Sequence, residues 1–181
     1  TLQKIKPNAV EIHTEINRLD SFTKVVSILK SSETKLDKIS ISCGLNQSFK
    51  KFHEPKDLLK ALWERYDILE ELNIPLIWQL DGRPMSGDLA PTTSRDTVKL
   101  FERIGSDLPP GLIQLAGGTN EKTHKFLKSN NLPDGIAFGS SARKIIQPLI
   151  AFANKNNKRL YDYPESMALA IKKAKKFLKP W

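Results

Sequence analysis

Among its 181 residues the chain holds one cysteine, Cys43, and three scattered histidines, His13, His53 and His124. A single thiol excludes an internal disulfide and any cluster clamped by several cysteines of this chain. The histidines lack metal-ligand spacing, so no metal is expected here. No apolar run approaches the roughly 18 residues of a membrane span. The opening residues, TLQKIKPN, lack the apolar core of a secretory signal, which makes a cytoplasmic location the expectation. GxSxG, P-loop and GxGxxG fingerprints are missing too, as are internal repeats and low-complexity linkers. The chain starts at Thr1 and enters a strand pattern almost at once, which reads as a portion of a longer protein.

What is present is ordinary for one globular domain spanning residues 1–181: 39% hydrophobic and 27% charged residues. Short apolar runs predict strands at Ala9–His13, Lys38–Cys43, Ile74–Leu80, Leu112–Ala116 and Gly135–Gly139. Helical periodicity falls between them, at Leu19–Leu29, Lys56–Leu72, Ser94–Ile104 and Asn120–Ser129. Leu58, Leu62, Tyr66 and Leu69 form the buried stripe of the second helix. Pro148 predicts a break between a short helix at Ala142–Ile146 and a following one. A last helix, at about 164–178, places Met167, Ile171, Ala174 and Leu178 on a docking face, with lysines outside.

Repeated βα units with about five strands imply an α/β fold with a parallel sheet. Such a sheet suits the C-terminal portion, strands four to eight, of a TIM-like β/α barrel. The alternative is a small doubly wound sheet.

The net charge of +9 is uneven. Residues 1–121 carry 16 basic and 17 acidic side chains, whereas residues 122–181 carry 13 and 3. The basic last third reads first as a solvated lysine-rich surface. It also suits an acidic partner; nucleic acid is not expected.

Three strands end in loops that can carry chemistry, and α/β proteins place their sites at such ends. DGRPMSGD begins with Asp81, a candidate base or orienter, and Arg83, whose planar fork suits carboxylate or phosphate. An internal pairing of Arg83 with Asp81 or Asp88 would merely hold that loop. LAGGTN offers Gly117, Gly118 and Thr119 to an anion, with Thr119 or Asn120 capping a following helix. FGSSARK repeats the logic with Gly139, Ser140, Ser141 and Arg143. These seven are the candidate cofactor-binding residues, for a phosphorylated ligand or FMN; His13, Asp81 and Arg83 are the candidate catalytic ones. Alternation puts Glu11 and His13 on one face of the first strand. Gln79, Gln114 and Cys43 are candidates to line the same cavity.

The strings VEIHTEINR, PLIWQLDGRPMSGD, LIQLAGGTN and IAFGSSARK together resemble the C-terminal domain of the light-dependent period (LdpA) family of cyanobacteria and their relatives. The motifs run from Val10 to Lys144. The resemblance implies an iron–sulfur protein that senses cellular redox state and conveys it to the circadian clock. It also implies a cysteine-rich cluster-binding region ahead of this domain, which Cys43 alone cannot replace. Partners implied are that N-terminal region and clock-associated proteins. No catalytic residue is carried over. If the preceding region supplies about three strands, an eight-stranded barrel results; alone, this chain should expose a strand edge and an apolar half-core. Two other functions fit the residues: a flavin- or phosphate-dependent oxidoreductase, and an interaction module using Lys172, Lys173, Lys175 and Lys176.

Overall fold

Alternation within the strands decides the architecture. The computed structural model describes residues 2–32, 34–44, 54–82 and 93–180. Its strands are β1 (Ala9–His13), β2 (Lys38–Gly44), β3 (Leu76–Asp81), β4 (Leu112–Ala116) and β5 (Gly135–Ile136). Its helices are α1 (Leu2–Ile5), α2 (Leu19–Ser31), α3 (Pro55–Leu69), α4 (Thr93–Ile104), α5 (Ser140–Lys155) and α6 (Pro164–Leu178). The strands form one parallel sheet in the order β1-β2-β3-β4-β5.

That order settles the choice of α/β architecture. A doubly wound sheet reverses direction at a switch point; here every strand is added on the same side of its predecessor. Right-handed crossovers then put all the connecting helices on one face. The described sheet is an open run of barrel-type units, with β1 and β5 at its edges.

Register separates the two faces. Ile12, Ile41, Trp78 and Ile113 stand side by side, followed one level up by Cys43, Leu80, Leu115 and Ile136. This face packs against Phe22 and Val26 of α2, Leu58, Leu62 and Leu69 of α3, and Val98, Phe101 and Ile104 of α4. The core therefore lies between sheet and helices. The opposite face carries Glu11 and Ser40 at one level and His13, Ser42, Gln79 and Gln114 at the next, with Asp81 beyond them. Apart from Ala9, Ile77, Leu112 and Ala116, its side chains are polar. The apolar half-core expected from sequence is thus a polar surface, because the residues between the core positions are serine, glutamine and carboxylate.

Other expectations shift at the ends of elements. α3 begins with Pro55 in its first turn, where its missing N–H costs nothing, and Glu54 with Asp57 forms a capping box. Its stripe is buried at Leu58, Leu62 and Leu69, with Arg65 also fully buried and Tyr66 only partly so. β3 starts at Leu76 rather than Ile74 and runs on to Asp81. β5 stops at Ile136, although Ala137 N still donates to Leu115 O.

No α-helix forms at Asn120–Ser129; a 3-10 turn at Thr123–Phe126 stands there instead. Asn120 caps this turn, with Asn120 N donating to Thr123 Oγ1 and Lys122 N to Asn120 Oδ1, but the chain becomes extended at Leu127 and no further helical turn follows. Pro148 does not split α5, which runs unbroken from Ser140 to Lys155. α5 packs on α6, Phe152 lies 5.3 Å from the Tyr163 ring, and Ala153 is buried; this packing outweighs the lost hydrogen bond. α6 docks through Ala170 and Phe177, not through the stripe expected to face inward. Met167, Ile171 and Leu178 are 38%, 44% and 52% exposed. The pivot is Phe177, whose ring meets Phe138 at 4.5 Å.

Candidate strand-end site

The polar face is organised at the C-terminal ends of β1, β2 and β3. His13 Nδ1 lies 2.9 Å from Ser42 Oγ. The Ser42 hydroxyl donates to Asp81 Oδ2 at 2.5 Å. Beside them Gln79 Nε2 reaches one level down to donate to Glu11 Oε1 at 3.3 Å. Two of the three expected catalytic residues, His13 and Asp81, are thereby joined through a serine. Arg83 lies outside the described residues, as do Asp88 and the rest of that loop from residue 83 onward.

The neighbourhood is shaped to hold this row. Gly44 stands opposite Asp81, and a Cβ there would come within 2.7 Å of Asp81 O and 2.9 Å of its Cβ. The backbone of β1 is pinned just beyond His13. Thr14 N donates to Ser42 O at 3.0 Å, and Arg65 Nη2 donates to Thr14 Oγ1 and Glu15 O at 3.1 and 2.6 Å. Arg65 also donates to Ala61 O and lies over the Phe22 ring. A buried cation is tolerated there because backbone carbonyls and an aromatic face solvate it. Arg65 thus reaches from α3 to fix the loop that follows β1.

Asp81 is 2% exposed. Burial pushes its carboxyl above the usual carboxylate range and Glu11 adds to the rise; the Ser42 hydrogen bond and His13 pull it back. Its Oδ1 is buried and, among the described residues, has no hydrogen-bond partner. Such an atom carries an unmet need for a donor, which is costly in a buried place.

The glycine loops are arranged differently from expectation. Gly117 and Gly118 have φ of 62° and 94°, a conformation that glycine permits. Thr97 Oγ1 of α4 donates to Ala116 O and Gly117 O, fixing the start of this loop. Thr119 is buried, and its hydroxyl donates to Ala137 O, so it ties the first glycine loop to the second. Asn120 braces the same loop by donating from Nδ2 to Ser94 Oγ. Gly139 is exposed, and a Cβ there would meet nothing within 4 Å, so packing does not demand a glycine. Ser140 and Ser141 open α5, and Arg143 N donates to Gly139 O. Ser140 and Arg143 line a shallow pocket of about 340 Å³ with Lys144, Ile146, Gln147 and Ile150, apart from His13, Ser42 and Asp81.

Cys43 does not line the cavity. It points to the helix side of the sheet, fully buried, and burial pushes its thiol up to about 11. Neither position nor protonation suits a cluster ligand. Among the described residues no three His, Cys, Asp or Glu side chains are placed to hold a metal ion. No described helix is long and apolar enough to cross a membrane. Ser42 was missed by sequence reasoning; the signal was the alternation of KISISCG, which sets Ser40 and Ser42 on one face and Cys43 on the other.

A family model described as the Light dependent period A C-terminal domain matches residues 1–180. Light dependent period A of Synechococcus elongatus is 31% identical over 172 residues, covering 91% of this chain and 46% of that protein. The 2,3-bisphosphoglycerate-dependent phosphoglycerate mutase of Blochmanniella floridana is 28% identical over 102 residues, covering 50% of this chain and 44% of that protein. Among solved structures, the YdjI aldolase of Escherichia coli aligns with 98% of this chain and 82% of its own, at 12% identity and a TM-score of 0.38. The chain spans about half the length of the curated relatives it matches.

Proposed function

We infer that the chain, which belongs to the Light dependent period A C-terminal domain family, is the C-terminal domain of an iron–sulfur protein that senses cellular redox state and conveys it to the circadian clock. Its strand-end face is the part that takes a ligand, a phosphorylated metabolite or cofactor such as FMN. The carrying observation is that this face is a built polar surface, with a buried carboxyl held by Ser42 and His13, rather than a second apolar core. Evolution of a scaffold alone gives no reason to bury a carboxyl there.

The chain's own residues do not fit an iron–sulfur cluster, since its one thiol is buried and protonated. Clusters belong, on this reading, to the part of the relatives' length that this chain does not span. That part would also supply the strands that close the sheet, which makes the N-terminal iron–sulfur region the first partner and clock-associated proteins the second. The residues present do fit a phosphorylated group: Gly117 and Gly118 make a turn with positive φ at a strand end, Ser140 and Ser141 open a helix, and Arg143 adds a cation.

The test is ligand binding by the full-length family protein, purified anaerobically with its clusters. Flavins, phosphorylated metabolites and quinones are screened by calorimetry against wild type and a Gly118→Val, Ser140→Ala double variant. The expected result is a ligand whose affinity falls about tenfold or more in the variant, roughly 1.4 kcal/mol. Equal binding to both proteins, or none to either, would overturn the ligand reading.

A further inference from the structure

Ser42 stands between a buried carboxyl and an exposed imidazole, in hydrogen-bond reach of both. A hydroxyl donates one proton and accepts others, so the row has two self-consistent forms. In the first, His13 Nδ1–H donates to Ser42 Oγ, and Ser42 donates to ionised Asp81. In the second, protonated Asp81 Oδ2 donates to Ser42, and Ser42 donates to a bare His13 Nδ1. Passing from first to second takes one solvent proton onto His13 Nε2. The Nδ1 proton moves to Ser42 Oγ, and the Ser42 proton moves to Asp81 Oδ2. Charge and protons balance, and no other bond changes. The order also differs from a nucleophilic triad, because the serine proton is directed at the carboxylate instead of the imidazole.

We propose that His13 and Ser42 form a proton relay between solvent and Asp81, and that Asp81 Oδ1 binds a neutral hydroxyl group of a small-molecule ligand and exchanges protons with it. The ligand half rests on the strand-end reading above; the relay half does not. Two observations carry it beyond the hydrogen bonds themselves. Asp81 is 2% exposed whereas His13 is exposed, so the row links a buried carboxyl to solvent, and Asp81 Oδ1 is unpaired among the described residues. A donor is what that atom needs.

The surrounding charges select the kind of donor. From β1, Glu11 and His13 face Asp81; from β2, Ser42 bonds it and Cys43 lies across the strand; Arg65 of α3 and Glu15 act chiefly around Cys43. Two carboxyls on one face disfavour an anion at this spot. A cation would have to shed its water beside a carboxyl that burial already pushes toward the neutral form. A neutral hydroxyl meets neither penalty. A phosphate on the same ligand would have to lie away from Asp81, toward the glycine loops.

Histidine-selective ¹⁵N NMR on the full-length family protein tests the relay. The His13 signals should report an Nδ1–H donor that gives way to the Nε2–H form as Asp81 takes up its proton. Ser42→Ala should abolish that linkage, and Ser42→Thr, which keeps the hydroxyl, should retain it. Identical His13 titrations in wild type, Ser42→Ala and Asp81→Asn would overturn the relay. Glycerol, a neutral triol, and inorganic phosphate probe the ligand. Glycerol should shift His13 saturably in wild type, with about tenfold or greater weakening in Asp81→Ala. Glycerol acting equally on both, or on neither, would overturn the ligand half. Phosphate binding lost in Gly118→Val yet indifferent to Asp81→Ala, with no glycerol response, would leave the glycine-loop reading standing and overturn this one.

Discussion

Replacing Trp78 with alanine is expected to destabilise the domain by about 3–5 kcal/mol, the usual range for deleting a large buried aromatic side chain. Trp78 is fully buried at the middle of the helix-facing side, between Ile41 and Ile113. Its indole Nε1–H donates to Pro110 O at 3.1 Å, so the variant loses a hydrogen bond along with its packing. The same ring fixes the turn before β4. Gly111 sits at φ 148°, and a Cβ there would approach Trp78 Nε1 to 2.8 Å. Chemical denaturation gives the number, and Trp78→Phe should lose distinctly less. A loss below about 1 kcal/mol for Trp78→Ala would mean that the helix layer does not pack on the sheet as described.

Gly82→Ala is the second large effect, and it acts on the site. A Cβ at Gly82 would lie 2.0 Å from Thr97 Oγ1 and 2.6 Å from Thr97 Cα and N. The side-chain clash could be relieved by rotation, but the backbone clash requires α4 to move. Overpacking of this kind costs about 1–3 kcal/mol or more, or some 2–4 °C of Tm for each kcal/mol at this chain length. Moving α4 also loosens Thr97 from Ala116 O and Gly117 O. Amide exchange at Gly117 and Gly118 should therefore rise with the loss of Tm. Unchanged Tm and exchange in Gly82→Ala would contradict the close approach of β3 and α4.

The fold was legible where the pattern had one meaning. Ala9–His13 and Leu112–Ala116 form strands with the expected bounds, and Leu58, Leu62 and Leu69 mark the buried side of α3. Strand order could not be read from such local patterns, since pairing joins Cys43, Leu80 and Leu115 from distant parts of the chain. The segment around Asn120 misled because helical spacing and a capping residue were both present, yet the chain becomes extended at Leu127 after a single 3-10 turn. α6 misled in another way. Its apolar stripe was correctly periodic, but periodicity does not say which part of a wide stripe meets the core. Phe177 and Ala170 do so here.

The site was half legible. Alternation placed Glu11 and His13 together, and the strand end singled out Asp81. The serine that joins them carried no signal of its own, because a serine in a strand is unremarkable until its neighbours are known. Cys43 was assigned to the wrong face for lack of register: one residue's shift along β2 exchanges the polar side for the core.

The most direct test of the strand-end site is the stability of Asp81→Asn against wild type as a function of pH. The fold holds the Asp81 proton more tightly than the unfolded chain does, because its carboxyl is raised above the usual range. Folded stability from this group is therefore full below the ordinary carboxylate range and falls as pH rises toward the raised value. Asparagine keeps an oxygen for the Ser42 hydroxyl and has no charge to bury. The expected result is an Asp81→Asn domain more stable than wild type at neutral pH, with the gap closing as pH falls into the ordinary carboxylate range. Stability given up for a buried carboxyl is the mark of a residue kept for function. An Asp81→Asn domain less stable than wild type at neutral pH would instead make Asp81 a structural brace and contradict the site.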